Sequence, residues 1–361
     1  MTLELILTTN CNLDCGYCYY KGIESGIMSM ETVRRAVDLF CLLAIEKQQK
    51  ILFITFFGGE PLLNKELIYQ AVDYADKNYS DRINLRYALG TNGTLLDDDF
   101  IGFIKRKNFI VHLSIDGHEA IHNKNRPSKD GESLFKNIVY SIEKLTGEGA
   151  CAGESPATEN SYNNLFAVTV ITRDSLAHMP EMIDFILSKK IDNIILTVDF
   201  GDKWVVGLYR KLKRFYTVLL KRYIDLKKSG SPLSISLFDD KINLINAGSS
   251  YKKSCCNIGK ENFVVNPDGD IFPCTRFANR SKGADYSIGN IFKGIVSEKI
   301  DVIDKAREND KVECKACEIR DICLGNSCSC ISYSTTGMID GVSPFICEHE
   351  RMLVKLIKKF V

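Results

Sequence analysis

From Leu3 to Lys228 the sequence alternates short β-branched runs with amphipathic helical stretches, and this alternation leaves few folds open. Strands are expected at Leu3–Thr8, Ile51–Phe57, Ile83–Leu89, Ile110–Ile115, Leu165–Ile171 and Ile194–Phe200. Helical patterns run between them. Ser29 is placed to cap Glu31–Lys47, Asn64 to cap Glu66–Asn78, and Asp97 to cap a helix reaching Lys107. Glu132–Leu145, Met179–Lys190 and Trp204–Lys228 follow. Strands joined through helices return parallel, and right-handed crossovers curl six such units into part of a barrel. The alternation stops near Tyr251, where cysteine, glycine and asparagine take over.

Composition narrows the function. With 47 basic and 46 acidic residues the net charge is +1, which gives no basic footprint for nucleic acid. No apolar run approaches the ~18 residues of a membrane span. The N-terminal MTLELILTTN lacks a cationic start and Glu4 interrupts it, so no secretory signal is expected and the chain reads as cytoplasmic. There are 14 cysteines, yet 361 residues at 45% hydrophobic build a large core without crosslinks. In a reducing compartment, clustered cysteines point to metal or catalysis rather than disulfides. Cys41, in an apolar helix, and Cys151, in the polar loop Gly147–Asn164, are expected to be bystanders.

Chemistry on a parallel barrel gathers at the C-terminal ends of the strands. Here those ends carry Cys11-x3-Cys15-x2-Cys18, then Gly58-Gly59-Glu60, Thr91-Asn92-Gly93, Ser114-Ile-Asp116-Gly117, Thr172-Arg173 and Thr197-Val-Asp199. Ser114 and Asp116, two apart, share a strand face, as do Thr197 and Asp199. Three cysteines within eight residues turn their sulfurs toward one point only from a loop. A cubane iron–sulfur cluster takes four thiolates, so three leave one iron open to another ligand. Zinc is the main competitor, although its structural sites take four ligands. His118 and His122 read as a solvated loop or helix start, and His112, His178 and His349 show no ligand spacing.

The three-cysteine loop after the first strand, with an aromatic before its last cysteine, resembles the radical S-adenosylmethionine superfamily. Gly58-Gly59-Glu60-Pro61 is similar to that family's motif for the methionine amino group. Glycines let a ligand approach the backbone, and a carboxylate suits an ammonium partner. The resemblance implies that S-adenosylmethionine chelates the open iron of a 4Fe–4S cluster held by Cys11, Cys15 and Cys18. One electron then yields a 5′-deoxyadenosyl radical, which takes hydrogen from the substrate. It also implies that Asn92, Ser114 and Asp116 line the cofactor site, with Ser114 and Asp116 near the ribose. Arg126 is a candidate for the methionine carboxylate and Tyr17 for contact near the adenine.

Nine further cysteines lie between Cys255 and Cys347. Cys256-x12-Gly269-x4-Cys274, then Cys314-x2-Cys317-x5-Cys323 and a late Cys347, resembles the SPASM domain, a C-terminal extension that carries auxiliary clusters. The expected fold is therefore α/β: a partial (β/α)6 TIM-like barrel over 1–228, a linker at 229–254, and a small Cys-rich α+β SPASM domain over 255–361. Two auxiliary 4Fe–4S clusters are implied; a pair of structural zinc sites counts equally well on cysteines alone. Cys314, Cys317, Cys323 and Cys347 are assigned to one. The other takes Cys256, Cys274 and either Cys328 or Cys330, because position 327, where the family places its next cysteine, is serine. Cys255, adjacent to Cys256, is the odd one, and an open iron there that binds a substrate thiolate is a further expectation.

Auxiliary clusters suit acceptance of an electron from a substrate radical, hence a net two-electron oxidation. Family members of this layout mostly modify peptides or proteins, by thioether or carbon–carbon crosslinks or by formylglycine formation in sulfatases. The sulfatase-maturing members typically carry an aspartate after the equivalent of Cys274, where this chain has Thr275, a poor base. Crosslinking is thus the leading expectation. Formylglycine formation, peptide epimerisation and small-molecule dehydrogenation are the alternatives. Asp199 is a candidate acid/base group. Ten residues precede Cys11, so no fused leader-recognition domain is expected there; either a separate leader-binding protein or the barrel and the polar loop 147–164 reads the peptide or protein substrate, and an external electron donor is expected.

Overall fold

The computed structural model describes residues 1–21, 25–147, 162–202, 204–247, 257–279, 286–308 and 311–361. Cys151, Cys255 and Cys256 lie outside the described residues. The strands are β1 (Thr2–Thr8), β2 (Ile51–Gly58), β3 (Asn84–Thr91), β4 (Ile110–Ser114), β5 (Leu165–Ile171), β6 (Asn193–Val198), β7 (Ser234–Ile235), β8 (Asn262–Val265), β9 (Asp270–Phe272), β10 (Gly289–Asn290) and β11 (Gly294–Ile295). Helices α1 (Met30–Glu46), α2 (Lys65–Tyr79), α3 (Asp98–Arg106), α4 (Glu119–Asn125), α5 (Phe135–Thr146) and α6 (Met179–Ser188) alternate with the early strands. After them come α7 (Val206–Lys228), α8 (Ser236–Ala247), α9 (Ser297–Glu308), α10 (Leu324–Ser327), α11 (Ser329–Thr336) and α12 (Pro344–Phe360). The six expected strands all form.

Two compact units result, neither contiguous in the chain. The first comprises Met1–Ser114, Arg126–Phe166 and Asn257–Ile300. Its strands run in the order β11-β10-β9-β8-β1-β2-β3-β4, with β8, β1, β2, β3 and β4 parallel. One row crosses it in register: Leu5 faces Phe56, Phe56 faces Leu89, and Leu89 faces Val111. All four are wholly buried, each contributing about 1.5–3 kcal/mol of hydrophobic stabilisation. Alternate residues along each strand take the same face, so this row sets the register that brings the strand ends to one rim.

Helix starts obey local chemistry. Ser29 Oγ accepts from Thr32 N–H at 3.0 Å to cap α1, and Asp97 Oδ1 accepts from Phe100 N–H at 2.9 Å to cap α3. Asn64 departs from expectation. Its side chain makes no capping bond to α2, because Pro61–Asn64 forms a 3-10 turn that is capped instead by Glu60. Helix α5 starts at Phe135 rather than Glu132, whose N–H is held by Asp130 and whose carbonyl is held by Ser128 in a tight turn.

The second unit comprises Ile115–Asn125, Ala167–Cys256 and Asp301–Val361. Asp199 N–H donates to Ile171 C=O at 2.9 Å, and Ile194 of β6 pairs in parallel with Ile235 of β7. The segment read as a linker, 229–254, contains β7 and α8; Phe238 and Lys241 of α8 are buried. Of the two readings of His118–His122, the helix start holds, with α4 beginning at Glu119, but it is not solvated. His122 is 1% exposed, and its Nδ1 accepts from Asp116 N–H at 3.3 Å, so α4 is packed rather than loose. Among the described residues no helix is long and apolar enough to cross a membrane.

Candidate functional site

The loop after β1 is built by its neighbours on two sides. On one, β2 exits through Gly58 and Gly59. Gly59 N–H donates to Thr8 C=O and Glu60 N–H to Asn10 C=O, both at 2.8 Å. A Cβ on Gly58, whose φ is +145°, falls 2.2 Å from Thr8 O; one on Gly59 falls 2.1 Å from Asn10 O. The two glycines therefore admit the adjoining backbone, which is a different reason from the ligand approach expected of them. On the other side, Asp14 N–H donates to Pro127 C=O at 2.8 Å and Lys129 N–H to Asn12 C=O at 3.0 Å. That pairing carries Arg126 in with it. Arg126 is 7% exposed and its guanidinium stacks 5.2 Å above the Tyr17 ring, so two expected cofactor residues stand together.

Glu60 is wholly buried and accepts three hydrogen bonds: Leu62 N–H at 3.0 Å, Thr91 Oγ1–H at 2.7 Å and Asn92 N–H at 2.7 Å. Burial pushes its carboxyl up to about 7, against the pull of those donors. A carboxylate offers about four lone-pair sites, so one remains for an ammonium. Asn92 is a hub. Its Nδ2 donates to Asn12 Oδ1 at 2.8 Å and reaches Cys11 Sγ at 3.7 Å, while its Oδ1 accepts from Thr94 N–H and Oγ1–H. Cys11 Sγ also receives Leu13 N–H at 3.4 Å. Burial raises the Cys11 thiol, and these two donors work against it.

Sequence reasoning missed the wall that follows the loop. Arg276 stacks 5.6 Å above Tyr19, and Asn279 Nδ2 donates to Tyr19 C=O at 2.5 Å, so the segment after Cys274 leans on the residues after Cys18. Glu4 of β1 and Cys274 are electrostatic neighbours there. Burial and then the Cys274 sulfur push the Glu4 carboxyl up to about 8, and its Oε1 is buried with no hydrogen-bond partner. Only its interruption of the apolar N-terminus hinted at Glu4. Ser114 ends β4 half-buried.

In the second unit, Asp116 is 0% exposed and accepts from Val170 N–H at 3.0 Å and Asn125 Nδ2–H at 3.3 Å. Asp199 Oδ1 accepts from Gly201 N–H at 2.9 Å, closing the turn after β6. Cys314, Cys317 and Cys347 are mutual electrostatic neighbours, and Arg351 approaches Cys317 Sγ at 3.9 Å. Cys323 is held from both flanks. Lys241 Nζ donates to Ile322 C=O at 2.8 Å, Glu350 Oε2 accepts from Leu324 N–H at 2.6 Å, and the two side chains pair at 2.7 Å. Burial raises the Glu350 carboxyl, but His349 and Lys241 outweigh it and hold it at about 2. Cys328 caps α11, its Sγ accepting from Ile331 N–H at 3.5 Å, and Cys330 is buried within that helix. Among the described residues no three cysteine, histidine or acidic side chains are drawn into metal-binding geometry.

Residues 5–151 match the radical SAM superfamily, and residues 255–318 match the SPASM iron–sulfur cluster-binding domain. The chain is 27% identical over 341 residues to a cysteine-type anaerobic sulfatase-maturating enzyme of Clostridium novyi, covering 88% of this chain and 84% of that protein. It is 35% identical over 275 residues to an uncharacterised protein of Methanocaldococcus jannaschii, covering 75% and 84%. Its fold matches the solved structure of native anSMEcpe with bound AdoMet (S-adenosylmethionine) at a TM-score of 0.79, 21% identity and coverage of 99% and 97%. Streptococcus suis SuiB bound to S-adenosylmethionine matches at 0.62, 16% identity and coverage of 96% and 76%.

The chain belongs to the radical SAM superfamily and carries a SPASM domain. It is an enzyme whose cofactors are S-adenosylmethionine and 4Fe–4S clusters. The residues present fit them: three thiols share one loop, Cys11 receives two N–H donors of the kind that stabilise a thiolate, and Glu60 keeps a lone pair at the adjoining strand end.

Proposed function

We propose that this enzyme oxidises a side chain of a peptide or protein by two electrons. The observation that carries the reading is the similarity to a sulfatase-maturating enzyme over 88% of the chain, beside the radical SAM and SPASM family matches. When bound, S-adenosylmethionine and its cluster supply the carbon radical that removes a hydrogen atom from the substrate.

In this reading Cys11, Cys15 and Cys18 hold the open cluster, with Asn92 anchoring the first of them through Asn12. Glu60 directs its remaining lone pair to the methionine ammonium. Arg126, set by its stack on Tyr17, takes the carboxylate. Ser114 and Asp116 face the ribose. Cys314, Cys317, Cys323 and Cys347 bind one auxiliary cluster; Cys256, Cys274 and Cys328 or Cys330 bind the other. Asp199 remains the acid/base candidate, in the turn after β6. An external electron donor supplies the cluster, and the peptide is read either by a separate leader-binding protein or by the barrel itself.

Crosslink formation is the reading from the residues, since Thr275 and Arg276 follow Cys274 and Arg276 is engaged with Tyr19. Formylglycine formation is the second reading, favoured by the named relatives. Mass spectrometry of a candidate peptide encoded beside the gene, after anaerobic reaction with S-adenosylmethionine and reductant, separates them. Loss of two hydrogens with fragmentation blocked between two residues supports the crosslink. Loss of sulfur from a cysteine supports formylglycine. An unchanged peptide beside turnover of a small alcohol rejects both.

A further inference from the structure

Lys311 is 5% exposed, and its ammonium donates to three neutral oxygens: Gly325 C=O at 2.6 Å, Ser332 Oγ, and Gly341 C=O at 3.0 Å. No described carboxylate lies within ion-pair distance of it. A buried charge without a counter-charge is among the most costly features a fold can carry. The groups that hold Lys311 belong to the cysteine segments: Cys314 N–H donates to Lys311 C=O at 2.8 Å, Ser332 Oγ–H donates to Cys328 C=O at 3.2 Å, and a Cβ on Gly325 would lie 3.5 Å from Cys323 Sγ. The second buried lysine of this unit, Lys241, is neutralised by Glu350 at 2.7 Å. The contrast sets Lys311 apart as a buried ammonium held by neutral oxygens among the segments that carry Cys314, Cys323 and Cys328.

We propose that Lys311 is the counter-ion of an auxiliary iron–sulfur cluster and sets its reduction potential. The inference rests on the reading that these cysteines are cluster ligands. Four thiolates leave a cubane with net negative charge, and reduction adds one more electron. An ammonium held by Gly325, Ser332 and Gly341 stabilises the reduced form more than the oxidised one. Net charge and hydrogen bonding are the terms by which a protein tunes such a potential. Lys311 is thus a positioning and tuning residue. It makes the cluster a better acceptor for an electron leaving the substrate.

The test is an EPR-monitored redox titration of the iron-loaded holoenzyme, comparing wild type with Lys311→Gln, which keeps amide donors and loses the charge, and Lys311→Met. The expected result is a cluster potential shifted negative in both variants by at least tenfold in the reduction equilibrium, about 59 mV for one electron. A potential that stays put at wild-type iron content overturns the proposal and leaves the cluster reading standing. Where a neutral variant loses iron, Lys311→Arg decides. Loading restored by Arg supports the charge role, and loading lost equally in Arg overturns it. A wild-type protein with no iron beyond the first cluster removes the cluster reading and the proposal together.

Discussion

Asn92 donates through Nδ2 to Asn12 Oδ1 at 2.8 Å, so the end of β3 grips the loop that carries the first three cysteines. Asn92 is 6% exposed, and the same side chain accepts from Thr94. Asn92→Leu strands Asn12 Oδ1 and two Thr94 donors. It is expected to lower stability by about 2–4 kcal/mol and to speed iron loss to a chelator. Urea denaturation and timed iron release check this; wild-type release rates show that the grip is immaterial.

Gly59→Ala places a methyl group 2.1 Å from Asn10 O, against backbone that has nowhere to move. Gly16, inside the cysteine loop, has nothing within 4 Å. Gly59→Ala is expected to cost more than about 3 kcal/mol or to yield insoluble protein, whereas Gly16→Ala folds normally. Melting temperatures and soluble yield compare the two. Equal behaviour contradicts the close-approach argument.

Lys241→Met leaves the buried Glu350 without its ammonium partner beside Cys323. A loss of about 3–5 kcal/mol is expected, with weaker retention of the auxiliary cluster. The acid limb follows from Glu350. Its carboxyl is held at about 2, below the ordinary 4.5, so its stabilisation is present above pH 4.5 and lost as pH falls through 2. Denaturation of Lys241→Met at pH 7 reads the first effect. A variant as stable as wild type shows that the pair does not organise this segment.

Glu4 works in the opposite sense. Its carboxyl is raised from 4.5 to about 8 by burial and then by Cys274, so the native state holds a proton that the unfolded chain releases. Its contribution is full below pH 4.5 and lost as pH rises through 8. Glu4→Gln removes that charge, and the variant is expected to show a flatter decline of stability between those limits. Parallel pH profiles for Gln and wild type contradict this.

Sequence periodicity read the strands well, because apolar, β-branched runs such as Leu165–Ile171 leave little ambiguity, even though only its alternate residues, Leu165, Ala167, Thr169 and Ile171, are fully buried. The cysteine loop was legible from spacing alone. The grip on it was not: Asn92 and Asn12 stand 80 positions apart, and nothing local in either announces the pairing. Gly58 and Gly59 stood out, but their reason lay in the backbone of Thr8 and Asn10. Helix α8 was hidden in a segment with no strong signal beyond chain direction. Its function emerged only when Lys241 met Glu350, 109 positions later. His122 looked solvated because a sequence cannot show that Asp116 N–H turns toward it.

On the proposed reading, the enzyme takes a hydrogen atom from a peptide side chain. Anaerobic reaction of a side-chain-deuterated candidate peptide with S-adenosylmethionine and reductant tests it most directly, by mass analysis of the 5′-deoxyadenosine formed. One deuterium is expected to be transferred per modified peptide, and none when Cys11 is changed to Ala. 5′-Deoxyadenosine free of deuterium beside a modified peptide contradicts it.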